Sequence, residues 1–598
     1  MGIRKRTVGL CCVASLLLVA GGCRRRAVSS HGWTWENPKP QGSGVTAVWA
    51  SETSGFWAVG ARGLLLRSED GAVWRRAPVP TREDLTGVSG TRNPERVVLV
   101  GDRGTLLVSQ DRGRSWVAPR LPVRERWTCA WGMDSGDVFV TGPRGLVLRS
   151  TDGARWERLS TGTAEDLFGL WGSGPDDLWA VGRNGVVLHG VDRGQRWMPS
   201  PSGVSQSLLA VSGTGPDDGW VVGRNGLVLT SGDQGQSWTP LSRAGVEDLH
   251  AVLLEGRRRP RAVGASGAIV WSDDGITLRA EPSGTQASLR ALGRLRDITV
   301  AGGDGGWLLR RRGQGPWEAR SEGLRMPLAH AWGTDPLHLW AVGPQGGLLR
   351  RAPDGSWAMV PTGLTGNLVG IHGTSAEDVL AVGFDGQTGW FQSAAGGVSA
   401  RPSGTPDNLY GVWLGAGGFV VAVGIKGVIV TSDDRGAHWV VRRRADRSAP
   451  ELSAVWGRSP DDLYAVGGQG TILHGTRRGA EWLPRSSENR SSLFDLWGSP
   501  TGELFAVGFD GAVVHSADGQ RWATVPTGSH ATLFGVAGTS AGDVWAVGMD
   551  GTVLHRSRPG GAFRAVPSPT REDLNSVWLE RPGRPWVFGS GGAILRYR

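Results

Sequence analysis

The side chains of this chain that could do acid–base or metal chemistry come in sets. His189, His474, His515 and His555 occupy one recurring position, where related segments carry Arg67, Arg149, Thr230, Thr431 and Arg596. Paired acids recur likewise: Asp176-Asp177, Asp217-Asp218 and Asp461-Asp462 at one place, Glu83-Asp84, Glu165-Asp166, Glu247-Asp248 and Glu572-Asp573 at another. Two carboxylates across a bond are what glycoside hydrolysis needs. A single active site, however, has no reason to be copied segment after segment, so the repeated acids read as turn residues and the histidines as framework. Neither HExxH nor CxxC spacing occurs, so no metal site and no cofactor are expected.

The elements that carry these residues are repeats. A short apolar motif recurs at fourteen centres from Val48 to Val577. The period is about 41 residues, the size of one four-stranded propeller blade. One repeat shows the pattern. Leu167–Trp171 is a first strand, Leu178–Val181 a second, Val186–His189 a third, and Trp197 marks a fourth. Gly182-Arg183-Asn184-Gly185 joins the second and third, and an Asn-Gly pair there signals a tight hairpin with positive φ. The strands are short, apolar and bounded by glycine, as when neighbouring sheets cover both faces. Composition agrees: 96 Gly and 30 Trp against 3 Tyr suit a turn-dense all-β chain.

The turn before the fourth strand is sharper still. Ser109, Asp111, Gly113 and Trp116 follow S-x-D-x-G-x-x-W, as do Ser231, Asp233, Gly235 and Trp238, and Ser432, Asp434, Gly436 and Trp439. Shortened forms run from Ser68 to Trp74, Ser150 to Trp156 and Ser516 to Trp522. This resembles the Asp-box (bacterial neuraminidase repeat) of sialidase-type propellers, and the surrounding text resembles photosystem II stability and assembly factors and related bacterial propeller lipoproteins. In such a turn Asp and Ser satisfy backbone amides, so the box is structural. A sialidase, which the resemblance would give a tyrosine nucleophile, is disfavoured. Tyr410 stands where Phe168 and Phe494 do, Tyr464 where Trp179 and Trp545 do, and Tyr597 lies on the terminal strand.

The expected fold is therefore all-β, two propellers of seven four-stranded blades, over 33–315 and 316–598. The last repeat lacks a fourth strand and Trp33-Thr34-Trp35 is a fourth strand without a repeat. We expect Trp33–Trp35 to complete repeat seven and Trp317 to complete repeat fourteen.

The N-terminus reads as an export signal over 1–22. Arg4, Lys5 and Arg6 precede the apolar run Val8–Ala20. That run is shorter than a membrane span, which needs ~18 residues or more, and it fits a signal peptide. Ala20-Gly21-Gly22-Cys23 resembles a bacterial lipobox, which implies cleavage before Cys23 and lipid on that residue, with 23–32 a basic linker. Arg24 is not the Asp associated with inner-membrane retention, so the outer membrane is the expected location. Cys11 and Cys12 leave with the signal, and Cys129, at the position of Ala47 and Gly87, is expected as a small core residue. The net charge of +10 owes six to Arg4–Arg6 and Arg24–Arg26, which argues against nucleic acid as a partner.

One feature separates the two halves. At the hairpin between second and third strands the first half carries Arg62, Arg103, Arg144, Arg183 and Arg224 in consecutive repeats. The second half has Phe384, Asp385, Lys426, Phe509, Asp510, Met549 and Asp550 there. The arginines are expected to form an arc on one face, exposed and suited to an acidic protein or surface ligand. The functional expectation is a non-catalytic binding or assembly scaffold at the cell envelope. The alternative is a two-propeller glycoside hydrolase of the xyloglucan-cleaving type.

Overall fold

The computed structural model describes residues 32–598 except 40, 93–94, 242–246, 322, 393–396, 500 and 541. Cys23 and the export segment lie outside the described residues. Thirteen four-stranded antiparallel sheets and one of three strands make fourteen blades. In the three-stranded blade, Leu85–Ser109, the fourth strand shrinks to a single bridge between Val108 and Val117. Blade four is typical, with strands Leu167–Gly174, Asp177–Gly182, Val187–Val191 and Arg196–Pro199 from the axis outwards. Its second strand is buried along its whole length, because adjacent blades cover both sides.

The hairpin linking second and third strands is built alike almost throughout. In blade four Asn184 has φ 55° and Gly185 φ 72°, and Val186 donates back to the Arg183 carbonyl at 3.2 Å. A side chain at Gly185 would also strike the Val204 carbonyl, its Cβ 1.9 Å away. Glycine is thus required twice over, by backbone and by space.

Blade one packs on blade seven through Val45, Val48 and Phe56 against Ala291, Val300 and Leu308. Blade eight packs on blade fourteen through Leu328, Ala331 and Leu339 against Trp586, Phe588 and Ile594. Each group of seven therefore closes on itself, giving two rings. The closing strands are the reverse of the sequence expectation. Glu318–Ala319, just after Trp317, pairs with Leu309 and Arg310 and completes blade seven. Trp33–Asn37 pairs with the last strand of the chain, Trp33 opposite Tyr597 and Trp35 opposite Leu595, and completes blade fourteen. The first ring is thus contiguous from Val45 to Ala319, and the second takes the N-terminal strand. Trp33 and Trp35 fill a core with Trp545, Val577 and Val587.

Within a blade, the first-to-second turns and the Asp-boxes share one face of the ring. The second-to-third hairpins and the blade-to-blade loops share the other, here called the hairpin face. The rings touch through hairpin-face elements of both. Arg62 donates to the Asp550 carbonyl, and Arg571 sits between Asp84 (2.9 Å) and Asp550 (3.2 Å). A space of about 380 Å³ beside this joint is lined by Arg62 and Arg82 of the first ring and by Thr527, Val553 and Pro567 of the second.

Candidate functional site

Most of the repeated chemistry is committed to structure. Three of the histidines lie flat on the aromatic ring of the preceding strand, His189 4.3 Å from Trp179 and His555 3.9 Å from Trp545 between centroids, while His515 is tilted on Phe505. Their Nε2 atoms meet the acid of the first turn, His474 on Asp462 and His555 on Asp543 at 2.9 Å. The same acid takes the indole N–H in blades four and thirteen, Trp179 to Asp177 at 2.7 Å and Trp545 to Asp543 at 3.0 Å. A fixed acid–imidazole–aromatic stack copied around the rings is a blade fastener. Tyr464 belongs to one of these stacks. Burial and the neighbouring Asp462 push its phenol up to about 12, so it is a poor nucleophile.

The blade-to-blade acids act as clamps. Asp84 accepts the backbone N–H of Arg62 at 2.9 Å, Asp166 that of Arg144 at 3.0 Å, Asp248 that of Asn225 and Asp573 that of Asp550, both at 2.9 Å. Each fixes the left-handed residue of the neighbouring hairpin. The Asp-boxes also behave as turns. Asp111 Oδ1 accepts from Ser115 N–H and from the Ser109 hydroxyl, both at 2.8 Å, and Ser109 Oγ accepts the Gly113 N–H at 2.7 Å. Ser231, Asp233 and Gly235, and Ser432, Asp434 and Gly436, repeat this geometry over Trp238 and Trp439. The Ser115 and Ser237 hydroxyls, which donate to Asp111 and Asp233 at 2.6 and 2.5 Å, together with these donors hold the two carboxyls down at about 2. Cys129 is half-buried at the bore of the first ring, and burial raises its thiol to about 11, which makes it unreactive at neutral pH.

The arginine arc differs from its expectation in two ways. Arg62, Arg103 and Arg144 occupy the left-handed position, whereas Arg183 and Arg224 stand one residue earlier, so the five are not strictly equivalent. Nor do they await a counter-charge. Arg103 pairs with Glu83 (3.5 Å), Arg144 with Glu125, Arg183 with Asp166 (2.8 Å) and Arg224 with Asp248 (3.4 Å), while Arg62 turns into the joint. Blade-to-blade loops supply these acids, which balances the rim.

What remains unspent is in the second ring. Its bore is a cavity of about 750 Å³. Trp332, Trp413, Trp456, Trp497 and Trp578 take the same place on five of the seven innermost strands, with His372 and Ala537 on the other two. The indoles lean on the next blade: a Cβ at Gly373, Gly498 or Gly538 would come within 2.6, 2.6 and 2.7 Å of Trp332, Trp456 and Trp497. Towards the hairpin face the bore opens past Tyr410, Phe494 and Phe534, with Phe384 6.2 Å from Tyr410. Phe509 and Met549 stand exposed on the hairpins of that face. Deeper in, Asp495 accepts N–H groups from Leu496 and Val536, both at 2.8 Å, and burial raises its carboxyl above the ordinary range. His372 accepts the Leu414 N–H on Nδ1 at 3.1 Å; burial, with His330 nearby, pulls its imidazole down to about 3 and keeps it neutral. Among the described residues no group of three or more His, Cys, Asp or Glu is placed to hold a metal.

These bore positions escaped sequence reasoning, although the signal existed. The fifth residue of the first-strand motif is Trp in five blades of the second ring but only at Trp49, Trp131 and Trp171 in the first.

The sequence model of the family described as Photosynthesis system II assembly factor YCF48 matches residues 154–320, and the repeats are of the neuraminidase-repeat type. No curated protein sequence matches the chain. Among solved structures it is similar to the GH74 enzyme of Niastella koreensis, with TM-score 0.60 and 12% identity over 95% of this chain and 99% of that one. The GH74 xyloglucanase from Xanthomonas campestris gives TM-score 0.61 and 13% identity over 94% and 99%. PorZ, a surface component of the type-IX secretion system of Porphyromonas gingivalis, gives TM-score 0.61 and 12% identity over 95% and 87%. At such identities the likeness is one of fold: this chain is a two-ring, neuraminidase-repeat β-propeller protein. The architecture serves both enzymes and a secretion component, so function has to be argued from the site.

Proposed function

We propose that the chain is a non-catalytic binding scaffold tethered to the cell envelope through lipid on Cys23. Its docking surface is the hairpin face of the second ring, and the occupant is an extended segment of a partner protein. One contrast carries the reading: the repeated acids and histidines are consumed by fasteners and clamps, whereas Phe509 is 58% exposed beside Met549 and the aromatic mouth of the bore. Exposed aromatics and methionine are enriched in protein interfaces. The partial match to an assembly-factor family supports a role in assembly and brings no photosystem with it.

The test is capture of a partner by the intact lipoprotein from membranes, identified by mass spectrometry and repeated with Phe509→Ser/Met549→Ser. Loss of the same partner, with unchanged melting, supports this face; retention removes it from consideration. Labelled fatty acid should enter the wild type and not Cys23→Ser.

One observation favours the enzymatic alternative. Glu572, at the joint, has its carboxyl raised by burial and by the neighbouring Asp573 and Asp304, the condition of a general acid. Xyloglucan hydrolysis that Glu572→Gln abolishes would establish that reading instead.

A further inference from the structure

The bore of the second ring combines three properties that point to one ligand chemistry. It is roomy: about 750 Å³ lies within the range of small-ligand sites. It is walled by five indoles, of which Trp332, Trp413, Trp456 and Trp497 lean on the next blade's glycine while lining the bore. Its charge is one-sided. In a chain with 65 Lys and Arg and 55 acids, no lysine or arginine among the described residues lines this cavity, while Asp495 and Glu451 do. Neither acid forms an ion pair among the described residues. Asp495 spends two acceptor positions on backbone N–H groups. An ionised carboxylate has about four, so acceptor capacity remains. His372 is neutral and adds no positive charge, and the basic side chain nearest Asp495 in the bore is the imidazole of His330.

We propose that this bore is a binding site for an organic cation, a methylated ammonium or a guanidinium, held between the tryptophan faces and Asp495. Aromatic faces attract such cations through the ring quadrupole, and the attraction strengthens where water is displaced. A weakly hydrated cation loses little on entering, and Asp495 gains the permanent counter-charge that no lysine or arginine of the bore provides. The first ring offers no such place. Its corresponding positions include Ser89, Ser212, Leu253 and Gly293, and its mouth carries Arg290. This site is independent of the docking surface proposed above, since it uses the depth of the bore.

The experiment titrates the full-length protein with choline, N-acetylarginine amide and 3,3-dimethyl-1-butanol, the neutral isostere of choline, following tryptophan fluorescence and heat. At least one cation should bind saturably, about tenfold or more tighter than the isostere, and Asp495→Asn and Trp497→Leu should each weaken it by a similar factor. The preferred cation separates a free quaternary amine from a basic side chain as the natural source. If the bore variants misfold, Glu451→Gln, whose side chain holds no backbone group, must still weaken the cation measurably. Absence of saturable binding by both cations overturns the site. So does equal binding of the isostere, or a folded variant set that binds like the wild type.

Discussion

The two rings share one blade template and differ in what they do with charge. Among the described residues the first ring buries Arg96, Arg149, Arg261 and Arg311, while the second buries Arg556. The first also answers each rim arginine beyond the joint with an acid on an adjacent loop. The second ring spends aromatic side chains instead, around its bore and on its hairpins. Backbone requirements are identical in both: left-handed hairpins, clamping loop residues and glycine notches. Identity of backbone with divergence at the bore and rim therefore separates what the fold demands from what it leaves open.

The largest effect should come from the N-terminal strand that closes the second ring. Trp33→Ala or Trp35→Ala deletes a core indole of blade fourteen, at a cost of about 3–5 kcal/mol. In calorimetry the transition of the second ring should fall and that of the first stay in place; a shift confined to the first ring would refute the pairing. Next comes Arg261→Met in the first ring. Its guanidinium is fully buried, 2.8 Å from Glu255 and paired with Glu281. Removing it takes the cation from half-buried Glu255, while Glu281 keeps Arg311, costing about 3 kcal/mol and lowering the other transition. The two substitutions together assign each transition to its ring.

Asp111→Ala removes the turn hydrogen bonds from Ser115 and Ser109. Its effect should be smaller, about 1–2 kcal/mol. The pH dependence has a definite sign. The Asp111 and Asp233 carboxyls sit lower in the folded protein, at about 2, than in the unfolded chain. Their stabilisation is thus complete above the ordinary aspartate range, about pH 4, and is lost as pH falls through the folded value. Urea midpoints measured between pH 5 and 2 should fall with acid, and less so in Asp111→Ala. Least of all should follow from Arg103→Ala, Arg144→Ala, Arg183→Ala or Arg224→Ala, since these arginines form exposed pairs. Each should change stability by about 0.5 kcal/mol or less. If their combined loss slows association with an isolated partner severalfold, the first ring too is a docking surface and the contrast drawn above fails.

Much of this was readable in the residues. Fourteen short apolar strands, Asn184-Gly185 hairpins and the S-x-D-x-G-x-x-W turns encode their own local geometry, and the blades follow from them. The closing strands were not readable, because Trp33-Thr34-Trp35 and the segment after Trp317 satisfy the same fourth-strand pattern. Only the pairing of Trp33 with Tyr597 and of Glu318 with Arg310 decides between them. The arginines were visible, but their neutralisation depended on which loop acid lies beside which hairpin, a relation between blades. The bore was hidden for the same reason. A tryptophan at one repeat position looks like core until seven strands are set around an axis and those positions converge on empty space.

The N-terminal strand that closes the second ring also orders events in time. Chains emerge N-terminus first, and the first ring, contiguous from Val45 to Ala319, contains everything it needs once that stretch is free. The second ring cannot shut until Ile594–Tyr597 arrives to meet a strand that appeared more than five hundred residues earlier. A contact of that sequence separation is slow to form. Until it forms, the last blade offers an unpaired edge, which is a template for another chain. Refolding should therefore show a fast first-ring phase and a late one. Truncating the last five residues should leave an opened, aggregation-prone second ring beside an intact first.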